Sequence, residues 1–135
     1  MPGDRGLIDT SVAVDLARID RQCLPALVAV SSLTLAELVI GPLGTDEELK
    51  RARRQQHLQF AEASVEPLAF DSRCSRAYGP VYAAVVDRGR KPRGARAVDL
   101  MIAATALANE LPLYTRNARD LLGLEGLIEV VDISA

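Results

Sequence analysis

Apolar residues are arranged along the chain in two alternating rhythms. Short apolar runs occur at Leu7-Ile8, Leu27–Ser31, Val65–Phe70, Leu111–Thr115 and Leu127–Ile133. Between them lie longer stretches whose apolar positions recur every three or four residues. These are Val12–Ile19, a segment opening at Ser32 and stopping at Gly41-Pro42, Thr45–Ala63, Ser72–Asp87 and Val98–Ala108. The short runs suit buried strands and the longer stretches suit helices. Strands alternating with helices predict an α/β fold, with a parallel central sheet flanked by helices on both faces and right-handed crossovers. No repeat, low-complexity tract or linker breaks the series, so residues 1–135 read as one domain.

One stretch departs from the amphipathic norm. Val98–Ala108 is apolar nearly all round and rich in Ala, which marks a helix buried in the core, too short to span a membrane. Yet Asp99 stands at its start. At helical spacing Asp99, Ile102, Ala103 and Ala106 share a face, so a carboxylate is set against a wall of core residues. The strand Leu111–Thr115 follows and ends in the polar cluster Arg116-Asn117-Ala118-Arg119-Asp120.

Composition narrows the picture. With aromatics at 4% and no Trp, the core is aliphatic and Ala-rich, a composition that packs helices closely on a sheet. A net charge of −2 argues against a general polyanion-coating protein. Cys23 and Cys74 lack any C-x-x-C spacing and read as free thiols of a reducing compartment. No signal-peptide core and no membrane-length apolar run is present, and the expectation is a cytoplasmic protein without a membrane partner. His57 is the sole histidine and reads as a surface residue of the polar helix 45–63; one His and two separated Cys assemble neither a His-based triad nor a zinc site.

The candidate chemistry is therefore acidic. Carboxyl ends of parallel strands share one edge, and the helices that follow them begin there. Asp9 ends the first strand, Glu37 is expected in the first turn after the second, Asp99 starts a helix, and Asn117 and Asp120 follow the fourth strand. Each acid also has a structural alternative. Asp9 can cap the next helix, Thr34 and Glu37 fit the S/T-x-x-E capping box, and Asp120 can complement the dipole of a last short helix. Carboxylates held close cannot all stay ionised without a counter-charge, and a hard divalent cation, Mg²⁺ or Mn²⁺, supplies one. Such a site suits attack of water on a phosphodiester. The loop Arg88–Arg96 carries five basic residues in nine and leads into Asp99; it reads either as a solvated run or as a contact to a phosphate backbone.

Leu7-Ile8-Asp9-Thr10-Ser11-Val12, Leu35-Ala36-Glu37-Leu38, Val98–Ala106 and Leu113–Leu121 resemble, in order and spacing, the signature segments of PIN-domain ribonucleases. The resemblance covers essentially the whole chain and extends to VapC-type toxins of bacterial VapBC toxin–antitoxin pairs. It implies a metal-dependent endoribonuclease on a three-layer PIN-like domain, with Asp9, Glu37, Asp99 and a fourth group as catalytic residues. Asp9 and Asp99 are the expected metal ligands. A dimer neutralised by a VapB-type antitoxin is also implied, with RNA as substrate, and Arg90, Lys91, Arg93 and Arg116 are the candidate RNA contacts. Some members carry an acid at the position of Asn117 and others one three residues later, where this chain has Asp120, so the fourth role is shared between the two. A phospho-receiver domain needs an early acidic pair and a lysine after a late strand, where Arg116 follows Thr115. A haloacid-dehalogenase-type phosphatase needs D-x-D, where Ser11 stands in the second place. A catalytically inactive PIN-like module binding RNA or protein is the non-enzymatic alternative.

Overall fold

Five short strands pair side by side, and the three central ones bury apolar residues toward both faces, as packing between helix layers requires. The computed structural model describes residues 4–86, 89 and 94–133. The strands are β1 (Arg5–Ile8), β2 (Leu27–Ser31), β3 (Glu66–Leu68), β4 (Leu113–Thr115) and β5 (Val130–Asp132). All pair in parallel, in the order β3-β2-β1-β4-β5. The helices are α1 (Thr10–Ala13), α2 (Ser32–Ile40), α3 (Glu48–Ser64), α4 (Ser72–Val86) and α5 (Ala95–Ala108).

Register turns the period-two pleat into two cores. Leu7 lies beside Ala29 and Leu113, and Ile8 beside Val30 and Tyr114. The first trio packs with Val81 and Val85 of α4 and with Leu100, Ile102, Ala103 and Ala106 of α5. The second packs with Val12 and Ala13 of α1, Leu38 of α2, and Leu58 and Ala61 of α3. Three layers result, with α4 and α5 on one face and α1 to α3 on the other. Gly6 is required where Tyr114 folds across β1: a Cβ there would stand 2.5 Å from the ring's Cε1. Cys23 is exposed and Cys74 buried, both unpaired. Among the described residues, no helix is long and apolar enough to cross a membrane.

Three helices differ from the pattern-based expectation. Helix α5 begins at Ala95, ahead of Val98, which takes in Arg96 of the expected basic loop and moves Asp99 to the second turn. The helix expected over Val12–Ile19 stops at Ala13, and a 3₁₀ turn over Leu16–Arg18 follows. Asp15 leaves helical geometry between them (φ −121°, ψ 22°), and its carboxylate pairs with Arg116 at 2.8 Å. Leu16 nevertheless stays buried, so the apolar spacing was met by two short pieces. The polar helix begins at Glu48, not Thr45, because Gly41–Gly44 forms a 3₁₀ turn and Thr45 is extended. Arg51 and Arg54 fold back onto the carbonyls of that turn, Arg51 Nε donating to Pro42 O (3.3 Å) and Arg54 Nη1 to Gly41 O (2.8 Å).

Candidate active site

The strand order runs outward in both directions from β1: β2 lies on one side and β4 on the other. Beyond the carboxyl ends of β1 and β4 the chains diverge, leaving the crevice where open α/β sheets bind ligands. Asp9 stands there, as the first residue after β1. It caps α1, with Oδ1 accepting from Val12 N (3.3 Å) and from Ser11 Oγ (2.6 Å). Its other oxygen, Oδ2, accepts from Thr115 Oγ1 at 2.5 Å. Capping and site placement are thus one arrangement. The hydroxyls are themselves fixed from β4's end: Arg116 N donates to Ser11 Oγ (3.1 Å) and Asn117 N to Thr115 Oγ1 (3.0 Å). Two hydroxyl relays tie the ends of β1 and β4 together and lock the Asp9 carboxylate.

Glu37 does not make the capping box. Ser31 is the N-cap of α2, its Oγ accepting from Leu33 N (3.1 Å), which leaves Glu37 in the second turn, beyond reach of the helix's free N–H groups. Its Oε1 instead accepts from Thr10 Oγ1 at 2.5 Å, and the hydroxyl of buried Thr34 lies 3.1 Å from that of Thr10. The carboxylate is therefore held at the start of α1 by Thr10.

Asp99 comes from the opposite layer. Helix α5 starts at Ala95, so Asp99 sits in its second turn, half-buried. Its pKa is pushed up from 3.8 to about 6, first by burial and then by the negative charges of Glu37, Asp9 and Asp120, with Arg96 opposing. Three acidic groups from distant parts of the chain thus act on Asp99. A small cleft of about 50 Å³ is lined by Asp9, Ser11, Asp99, Asn117 and Asp120 over Leu113. Asn117 is exposed at its rim. Asp120 is held by Arg96 at 3.7 Å. Arg116 directs its guanidinium to Asp15, while Arg90, Lys91 and Arg93 lie outside the described residues.

Sequence reasoning did not single out Thr10, Ser11 and Thr115 for the site. Their signal was position: each hydroxyl sits at or just past a strand end that carries an acid.

All donors in the cleft are oxygens, the chemistry of a hard cation. Among the described residues, no three acidic, His or Cys side chains stand close enough to cage an ion unaided. A Mg²⁺ ion bound through one or two carboxylates and otherwise by water needs no such cage. Asp9 and Asp99, facing one cleft, are the pair whose chemistry suits it.

Residues 6–122 match the PIN domain family. The chain is 34% identical over 128 residues to ribonuclease VapC5 of Mycobacterium tuberculosis, covering 93% of this chain and 91% of the relative. A crystal structure of VapBC-5, a member of the VapBC family of toxin–antitoxin systems from that organism, contains a chain that superposes with a TM-score of 0.82. The two are 32% identical, and the match covers 96% of this chain and 99% of the other. VapBC-1 from nontypeable Haemophilus influenzae shares the fold, with a TM-score of 0.74 at 21% identity, over 97% and 99% of the two chains.

Proposed function

The chain belongs to the PIN domain family, and from that premise we propose that it is a metal-dependent endoribonuclease, the toxin of a type II toxin–antitoxin pair. The observation that carries this reading is the gathering of acids at one strand-end crevice: Asp9, Asp99 and Asp120 line it, and burial, joined by the charges of Glu37, Asp9 and Asp120, pushes the Asp99 pKa up to about 6. Carboxylates placed at each other's expense are poor structural devices and good cation ligands. Identity to ribonuclease VapC5 over nearly the full length supports the same assignment.

Asp9 and Asp99 would hold Mg²⁺ or Mn²⁺, which when bound lowers the pKa of water and neutralises charge on the phosphoryl oxygens. The remaining tasks belong to the protein. Ser11 and Thr115 hold both Asp9 oxygens in place, so the carboxylate needs no reorganisation when substrate enters. Thr10 fixes Glu37 through Oε1 and leaves Oε2 to take the proton from the attacking water. Asp120, restrained by Arg96, adds the fourth negative charge, and the Asn117 amide offers a neutral donor to a phosphate oxygen at the rim. Protonation of Asp99 competes with the cation, so the Mg²⁺ concentration needed for activity rises as pH drops below about 6.

The same acids would receive an arginine from a VapB-type antitoxin, a bidentate guanidinium replacing the cation. Assembly as a homodimer belongs to the same proposal and is checked by light scattering with and without the antitoxin. The direct test of function is incubation of the purified protein with total RNA. Discrete cleavage with Mg²⁺ that stops in EDTA is expected; intact RNA under both conditions would remove the ribonuclease assignment.

A further inference from the structure

Beside the acidic cleft lies a separate groove of about 380 Å³, bounded by the Leu16–Arg18 turn, α2 and α3. Thr10 and Glu37 line it, together with the apolar Val14 and Leu38. Lys50, Arg53, Arg54 and His57 line α3's side of it, and Arg18 faces them from the turn. On α3 these residues follow the spacing i, i+3, i+4, i+7, so they form a single stripe. Like charges at such spacing repel, and a fold normally offsets them with acids.

Here the offset is incomplete. Arg54 is spent on the Gly41 carbonyl at 2.8 Å, and Lys50 has Glu47 at 3.9 Å. Of the groove's two acids, Asp15 is paired with Arg116 and Glu37 is bound by Thr10. Arg18 and Arg53 have no ion-pair partner among the described residues, and both are exposed. Two unpaired guanidinium groups over an apolar floor, with an imidazole on the wall, match a single strand: charge for phosphates, flat and apolar surface for bases.

We propose that this groove is a backbone-binding subsite for single-stranded RNA leaving the cleft on the Glu37 side, with Arg18 and Arg53 as its phosphate contacts. It rests on the reading of the acidic cleft as a ribonuclease centre. Continuity carries the assignment to RNA over an acidic peptide: the Glu37 carboxylate acts on Asp99 in the cleft and also lines this groove. A strand positioned for cutting therefore passes directly between the arginines.

The test measures binding of a fluorescein-labelled single-stranded RNA in EDTA, by anisotropy across a salt series, using the full chain. Each phosphate contact to a single strand contributes about 0.7 to the slope of log K against log salt. Arg18→Gln with Arg53→Gln should flatten the slope by about 1.4 and weaken binding at low salt by roughly tenfold or more. Arg53→Lys should restore most of the slope lost by Arg53→Gln, because a point charge suffices for that term. Arg5→Gln, at the opposite sheet edge and paired with Glu66, controls for net charge and should leave the slope unchanged. An unaltered slope in the double variant overturns the proposal. So does loss of capture of a co-expressed antitoxin with RNA binding intact, which would make the groove a protein site. A wild-type protein that fails to cut RNA in Mg²⁺ would instead strike the ribonuclease reading, a separate result from the slope.

Discussion

Replacing Asp99 with Asn should make the metal-free protein more stable at neutral pH, although it removes a charged side chain from the centre of the site. The Asp99 carboxyl titrates at about 6 in the fold, against 3.8 in an unperturbed chain. The folded state therefore holds the proton more tightly than the unfolded state. By linkage, stability falls as pH rises from about 4 to 6 and stays reduced above that range, the reverse of a salt-bridged carboxylate. The displacement sets a ceiling of ~3 kcal/mol. Asp99 is only half-buried, and water screens its neighbours, so ~1–2 kcal/mol is the expected gain for Asp99→Asn. Burial sets the sign first, the charges of Glu37, Asp9 and Asp120 add to it, and Arg96 opposes them. Thermal melts in EDTA at pH 4 to 8 provide the assay. The variant should melt ~3–8 °C above wild type at pH 8 and level with it at pH 4. Mg²⁺ at ten times its Kd should return ~1.4 kcal/mol to wild type and much less to the variant. An Asp99→Asn protein no more stable than wild type at pH 8 would refute the claim that burial and the neighbouring acids destabilise the ionised Asp99 carboxylate.

Three further outcomes follow from the site. Glu37→Gln keeps the size of the side chain and, because Glu37 caps no helix, should leave the melting temperature within about 2 °C while lowering single-turnover RNA cleavage by two orders of magnitude or more. Thr115→Val removes the hydroxyl that serves both Asp9 Oδ2 and Asn117 N, and should cost ~1–3 kcal/mol in urea unfolding, with a loss of kcat that added Mg²⁺ does not restore. Asp120→Asn should raise the Mg²⁺ concentration giving half-maximal cleavage, whereas Asn117→Ala should lower kcat at saturating Mg²⁺; metal titrations of both variants separate the two residues.

How far the sequence was legible varied with the range of the interaction. Strand β2 lies over Leu27–Ser31 as its apolar run indicated, because burial on both faces imposes a pattern that needs no partner to be read. The shared face of Asp99, Ile102, Ala103 and Ala106 followed from helical spacing alone and put the carboxylate against the core. Glu37 was harder: Thr34 and Glu37 fit a capping box, but the true cap is Ser31 at the very end of β2, and a local motif cannot show where a strand stops. The break after Ala13 depends on Asp15 meeting Arg116 from 101 residues away, and the hydroxyl clasp on Asp9 joins Thr115 across 106 residues. Such contacts exist only once β1 and β4 are paired. The basic stripe of α3 illustrates the same limit, since acidic-then-basic order on a polar helix describes a solvated face until a neighbouring turn supplies Arg18 opposite it.

The central claim is that charge at Asp9 and Asp99, and not merely the PIN scaffold, hydrolyses RNA. Wild type, Asp9→Asn and Asp99→Asn should be compared on one single-stranded RNA at equal protein concentration, at pH 8 in Mg²⁺, with folding of each verified by its melt. Cleavage by wild type alone, abolished in EDTA, from variants that are all folded, is the predicted result. Undiminished cleavage by either folded variant, or by wild type without a divalent ion, would contradict it.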